Sequence, residues 1–170
     1  RGVRAVVLTG DGKAFCAGGD LGGFAAEGGR APALLKEITA GLHTAIARFA
    51  RMRAPVIAAG NGGAAGAGFS LVTACDLALA AASARFTMAY TRAGLVPDGS
   101  STFFLSRQIG LRRTQELMIT NRLLTAAEAL EWGLLTRVVP DAELESAVDE
   151  LARELAAGPT GSFGAVKRLL

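Results

Sequence analysis

The chain has 170 residues, 51% hydrophobic and 19% charged, which fits one globular domain and excludes a disordered segment. A formal net charge of +3 is mild, and Arg112 and Arg113 form only a pair, so a nucleic-acid partner is not expected. Cys16 and Cys75 lack CxxC spacing and the one histidine cannot complete a metal set, so no metal site is expected; no apolar run approaches the ~18 residues of a membrane span and no signal peptide is visible, so the expectation is a cytoplasmic protein with no membrane partner and two reduced thiols.

Residues 3–8 form a near-continuous run of β-branched and small apolar side chains, the pattern of a buried strand. Gly10, Asp11 and Gly12 then predict a turn. A first glycine-rich turn follows at Gly18-Gly19, with Asp20 expected to cap or brace it; residues 27–30 read as loop. Residues 32–53 predict a helix, because Leu34, Ile38, Leu42, Ile46 and Phe49 recur at three- and four-residue spacing. The lone His43 on it, between Thr39 and Ile46, reads by residue type as a partly buried structural side chain. Pro55 ends this helix, and a strand over 56–59 runs into GNGGAAGAGFSLVTAC, residues 60–75, which reads as strand, glycine turn and helix start, with the helix over 67–75.

Short strands are expected at 76–80 and 85–88, with Asp76 paired to backbone. Residues 89–101 form a loop with Gly94, Pro97 and Gly99, and Asp98 sits just ahead of a helix over 100–109. A further helix covers 111–120. Thr125 and Glu128 make a capping box, opening a helix that ends near Gly133; Glu128 and Glu131 belong to its face and Trp132 to the core. A strand over 134–139 stops at Pro140, and helices follow at 143–157 and 163–170. This order is an α/β pattern. The chain opens directly before a strand without a start methionine and stops inside a helix, so it is expected to be the middle of a longer protein.

Neither glycine turn carries GxGxxG or GxxxxGK[ST], so nucleotide-phosphate binding is the weaker reading of both. Two backbone N–H groups converging on one oxygen form an oxyanion hole, which needs no side chain and so tolerates small residues such as Gly18-Gly19 and Gly66-Ala67-Gly68. The alternative is that the glycines only let a strand and a helix pack closely; by residue type both readings stand.

AFCAGGDL, residues 14–21, and NGGAAGAGFSL, residues 61–71, resemble the two signature turns of the crotonase, or enoyl-CoA hydratase/isomerase, superfamily. Residues 84–110 and 120–139 are similar to its later blocks, in the same order. The resemblance implies an α/β spiral of repeated ββα units, incomplete here at both ends: a core over 1–140 and the start of a C-terminal helical region over 141–170. It implies an acyl-CoA thioester substrate, no cofactor beyond the coenzyme A of that substrate, and a homotrimer or hexamer. On the family's motif the thioester oxygen sits between the N–H groups of Gly19 and Ala67, with Ala17, Gly18, Gly66 and Gly68 around the coenzyme A. Lys13 and Arg92 could meet its phosphates, though solvated charge is the default reading.

The two glutamates of the hydratases fall on Ser70 and Tyr90, and neither of these can do carboxylate work at neutral pH. Asp98, with the flanking FTMAYTRAGLVPD, instead resembles the enoyl- and dienoyl-CoA isomerases, most closely the ring-epoxide isomerases of phenylacetyl-CoA catabolism. One carboxylate can take a proton from one carbon and return it to another. By residue type alone Asp98 would cap the helix at Ser100; the resemblance makes it an acid/base. His43, Tyr90 and Asp98 also resemble the 4-chlorobenzoyl-CoA dehalogenase site, where a histidine is base and the aspartate nucleophile, with Tyr90 in place of a tryptophan and Gly19 in place of a phenylalanine. The expected activity is isomerisation of an unsaturated acyl-CoA, with hydratase or aryl-CoA hydrolytic chemistry, or catalytically silent coenzyme A or RNA binding, as alternatives.

Overall fold

The computed structural model describes residues 2–170. In chain order its elements are β1 (Val6–Thr9), β2 (Ala14–Cys16), α1 (Leu21–Ala26), α2 (Ala31–Arg51), β3 (Val56–Gly60), β4 (Gly63–Ala65), α3 (Ala67–Ala74), β5 (Leu77–Ala81), β6 (Arg85–Thr87), α4 (Ser101–Thr120), β7 (Leu124–Thr125), α5 (Ala126–Glu131), β8 (Arg137–Val139), α6 (Leu144–Ala157) and α7 (Thr160–Leu169). Single 3₁₀ turns lie at Gly28–Arg30, Thr91–Ala93 and Asp141–Glu143. Two strands and then a helix recur three times, the first strand of each pair joining one sheet and the second another; α5 then separates β7, which joins the second sheet, from β8, which joins the first, so that the orders are β1-β3-β5-β8 and β2-β4-β6-β7. Pairing is parallel throughout except between β6 and β7.

The period-two alternation of a strand explains why β3 and β5 read as unbroken apolar runs. Val56, Ala58, Ala78 and Ala80 face the main core, shared with Phe15, Phe69, Phe86, Leu105 and Leu117. Ile57, Ala59, Leu79 and Ala81 face the other way, onto Leu144 and Val148 of α6. Small residues on both faces let the second sheet and α3 approach closely on one side and α6 on the other. Among the described residues no helix is long and apolar enough to cross a membrane.

Several short elements depart from the sequence expectation. β2, β4 and β7 are only three, three and two residues long, and α1 only six. The strands exist because each pairs with a neighbour, not because of a pattern of its own; β4 therefore sits inside the stretch read as a plain glycine turn. The predicted break between helices at 109 and 111 is real: Gly110 has φ 77 and ψ 161 inside α4.

The capping box of α5 is complete, with the Glu128 N–H donating to Thr125 Oγ1 at 3.2 Å and the Thr125 N–H donating to Glu128 Oε2 at 2.9 Å. Arg122 adds a bond to Glu128 Oε1 at 2.8 Å. The Thr125 N–H, then Arg122, lower the Glu128 carboxyl to about 2. A carboxylate lowered in the native state stabilises it fully above the ordinary value of 4.5 and ceases to do so as pH falls toward 2. Glu128→Gln is expected to lower the thermal midpoint at pH 7 by about 2–4 °C, with the gap from the parent closing between pH 4.5 and 2. A gap constant across that window in thermal melts would contradict this.

Candidate active site

β2 and β4 run parallel, Cys16 opposite Ala64, and both end by turning into glycines. Gly18 has φ 93 and Gly66 φ 53 with ψ −124, conformations that side chains with a Cβ disfavour. The Gly66 N–H is held by Thr87 O of β6 at 3.1 Å, so the second turn is anchored to the sheet. The two turns touch: a Cβ on Gly18 would lie 2.9 Å from Ala65 O and 3.5 Å from Ala67 N. Ala67 is the first residue of α3, where an N–H has no intrahelical acceptor. Among the described residues neither the Ala67 nor the Gly19 N–H has a hydrogen-bond partner.

Both residues line a cavity of about 330 Å³, as do Ala17, Gly18, Gly66, His43, Tyr90 and Asp98. Gly68 is the exception among the sequence candidates. It does not line the cavity; a Cβ there would sit 2.2 Å from Cys16 O, so its place is the contact that seats α3 on β2. The other walls are largely apolar: Leu21 and Phe24 of α1, Leu35, Ile38 and Leu42 of α2, and Leu95 and Val96. The apolar stripe of α2 is thus divided: Ile38 and Leu42 line the cavity, while Ile46 is buried and Phe49 packs against the core. Sequence reasoning missed Phe24, whose ring stands 2.8 Å from where a Gly19 Cβ would be; its three-residue spacing from Leu21 ahead of the glycines was the available signal.

Asp98 lies at the end of a polar chain. Tyr90 donates from its hydroxyl to Asp98 Oδ1 at 2.6 Å. His43 Nε2 is 3.3 Å from Asp98 Oδ2. Ser70, with no exposed surface, has its Oγ 3.0 Å from the Tyr90 hydroxyl and 3.1 Å from Asp98 O. Burial first, and then the bond to Asp98, push the Tyr90 phenol well above its ordinary value, so it remains a donor across the physiological range. Ala89, just before it, has φ 55, uncommon for a residue with a Cβ, and the Tyr90 N–H turns back onto Met88 O at 2.7 Å.

The alternative reading of Asp98 by residue type, a side-chain cap of the helix, is not what the fold forms. It is the Asp98 carbonyl that accepts from the Ser101 N–H at 3.1 Å and from Ser101 Oγ at 2.8 Å, which leaves the carboxylate free for the cavity. His43 is also not the partly buried residue its helix position suggested: half of its side chain is exposed, because it stands at the cavity rim.

Other candidates fall on structural contacts. Asp20 caps α1 by accepting from the Gly23 N–H at 2.9 Å. Asp76 accepts from the Val56 N–H at 2.7 Å and from Lys167 Nζ at 2.6 Å. Arg92 donates to Asn121 O at 3.1 Å, Lys13 and Glu131 are exposed, and Trp132 packs against the core with the guanidiniums of Arg113 and Arg122 over its ring. Both cysteines are free thiols, and burial pushes that of Cys75 up to about 12. Among the described residues no group of three or more His, Cys, Asp or Glu is placed to hold a metal.

The family model described as enoyl-CoA hydratase/isomerase matches residues 1–170. The chain is 44% identical over 165 residues to the "Probable enoyl-CoA hydratase" of Rhodobacter capsulatus, covering 97% of this chain and 63% of that protein. It is 43% identical over 172 residues to 4-chlorobenzoyl coenzyme A dehalogenase-1 of an Arthrobacter species, covering 97% and 60%. It is 39% identical over 169 residues to 1,2-epoxyphenylacetyl-CoA isomerase of Escherichia coli, covering 99% and 64%. The crystal structure of an enoyl-CoA hydratase from Polaromonas sp. JS666 superposes with a TM-score of 0.92 at 37% identity, covering 98% of this chain and 65% of that one. The chain therefore spans under two thirds of the length of these relatives.

The close seat of α3 on β2 generates one stability test. Gly68→Ala is expected to destabilise the fold by about 1–3 kcal/mol, since its Cβ meets a backbone carbonyl that cannot rotate away. An unchanged urea midpoint would show that α3 is free to shift.

Proposed function

The chain belongs to the enoyl-CoA hydratase/isomerase family, and from that premise we propose that it isomerises an unsaturated acyl-CoA thioester. The reading rests on one observation: the Asp98 carboxylate and two unpartnered N–H groups, of Gly19 and Ala67, line the same cavity. The thioester oxygen rests between the two N–H groups. Asp98 removes a proton from the carbon next to the carbonyl, and the C–H electron pair moves onto the oxygen as an enolate. Asp98 then returns a proton two carbons further on, and the double bond ends in its new place. Each N–H donor contributes about 3–4 kcal/mol to holding the enolate. The apolar walls suit a compact hydrocarbon or aryl acyl group.

Water addition fits these residues less well. Ser70 and Tyr90 hold each other and Asp98 by hydrogen bonds and bring no carboxylate to position a water. A second reading, hydrolytic chemistry on an aryl-CoA with Asp98 as nucleophile, is favoured by the imidazole of His43 beside Asp98 Oδ2. The absence of any cofactor beyond the substrate's own coenzyme A, a trimeric or hexameric assembly, the cytoplasmic setting and the division at residue 140 belong to the same proposal.

Asp98→Asn is expected to reduce turnover of unsaturated acyl-CoA thioesters by about 10³-fold or more while their binding, followed by calorimetry, changes little. Retained turnover would remove Asp98 from the chemistry. Ala67→Pro places proline at the first position of α3, where a helix accepts it, and deletes one donor. Turnover is expected to fall about 10²–10³-fold with the thermal midpoint near that of the parent. A fully active variant would mean that the oxygen is held elsewhere.

A further inference from the structure

His43 Nε2 has two neighbours that make opposite demands on it. The Gly99 N–H donates to it at 3.3 Å, which needs a bare lone pair. Asp98 Oδ2 lies at the same distance, and an ionised carboxylate only accepts, so that bond needs a proton on the same nitrogen. Nε2 therefore satisfies one neighbour at a time: bare, it accepts from the Gly99 N–H; protonated, it donates to Asp98 Oδ2. We infer that His43 carries protons between Asp98 and solvent; this rests on the reading of Asp98 as the acid/base.

When Asp98 has taken a proton from substrate carbon, its Oδ2–H faces the Nε2 lone pair. The O–H bond breaks, an N–H bond forms, Asp98 is again a carboxylate, and the Gly99 N–H is released. The imidazolium then loses its Nδ1 proton to water, since half of the side chain is exposed. Few other charges bear on this exchange. The neighbours of His43 one turn away on α2 are Thr39, Ala40, Ile46 and Ala47, and α1 and α3, packed on α2, carry no charged side chain. Arg30 of the adjoining turn is paired with Glu27, and Lys167 of α7 with Asp76; Arg168 is the remaining cation of α7, and Tyr90 reaches the imidazole only through Asp98. The path also runs in reverse: Nδ1 takes a proton from water, the Nε2–H bond breaks as an O–H bond forms on Asp98 Oδ2, and Asp98 gives that hydrogen to the γ carbon, so that the hydrogen returned to product comes largely from solvent.

The test uses trans-3-hexenoyl-CoA in deuterium oxide, reading deuterium per turnover at the γ carbon of the 2-enoyl product. The parent is expected to label most of its product. Glutamine at position 43 can accept from Gly99 and donate to Asp98 but cannot pass a proton, so in His43→Gln the labelled fraction is expected to fall about fivefold or more, whatever the rate. Added imidazole is expected to restore labelling in His43→Gly. Equal labelling by the parent and His43→Gln, or an unlabelled parent product, overturns the inference. An Asp98→Asn variant as active as the parent instead overturns the reading beneath it. If hexenoyl-CoA is not turned over, nitrogen-15 spectra of the free protein decide: the Gly99 amide proton is expected to move in His43→Gln and the His43 imidazole nitrogens to move in Asp98→Asn, and resonances indifferent to these substitutions overturn the inference.

Discussion

The two glycine turns at the cavity depend on the parallel pairing of β2 with β4. These are three-residue strands with few hydrogen bonds of their own. Their pairing brings Gly18 against the Ala65–Ala67 backbone and aligns two chain reversals that are some fifty residues apart in sequence. The contact of Gly68 with Cys16 O then fixes where α3 begins, and so where its first N–H lies. Backbone groups held in this way are preorganised by the sheet, and they need no rearrangement when charge develops on a bound oxygen.

The carboxylate is placed by a different device. Asp98 uses its carbonyl, not its side chain, to start α4, and the same carbonyl takes the hydroxyl of Ser70 from α3. Its main chain is therefore tied to two helices, while one carboxylate oxygen takes the Tyr90 hydroxyl and the other faces His43. Where relatives of the hydratase type carry glutamates, by the sequence resemblance, this chain has a serine and a tyrosine acting together as a bracket for a third residue.

The long elements were legible in the sequence because their apolar spacing is their own. α2, β3, β5, α6 and the capping box of α5 each declare themselves locally. Of the second sheet only β6 was legible; β2, β4 and β7 were not, because two or three residues cannot carry a period and exist only through pairing. For the site, the glycine turns and Asp98 were legible as motifs, whereas the displacement of Gly68 from the cavity depends on a contact across the chain. The exposure of His43 was hidden for the same reason: the apolar stripe around it suggests a core, and only the fold shows that this stripe borders a cavity.

Lys167 of α7 is nearly buried, and its ammonium is shared among Phe49 O, Ala54 O and Asp76 Oδ2. Those oxygens belong to the last turn of α2, the approach to β3 and the entry to β5. A charge so placed acts as a rivet between α7 and the helix that forms one wall of the cavity. α2 is thereby held near its C-terminal end, while its cavity-lining part is tied to the loop ahead of α4 through His43. Lys167 thus bears on the cavity wall that α2 forms, although no residue of α7 lines the cavity.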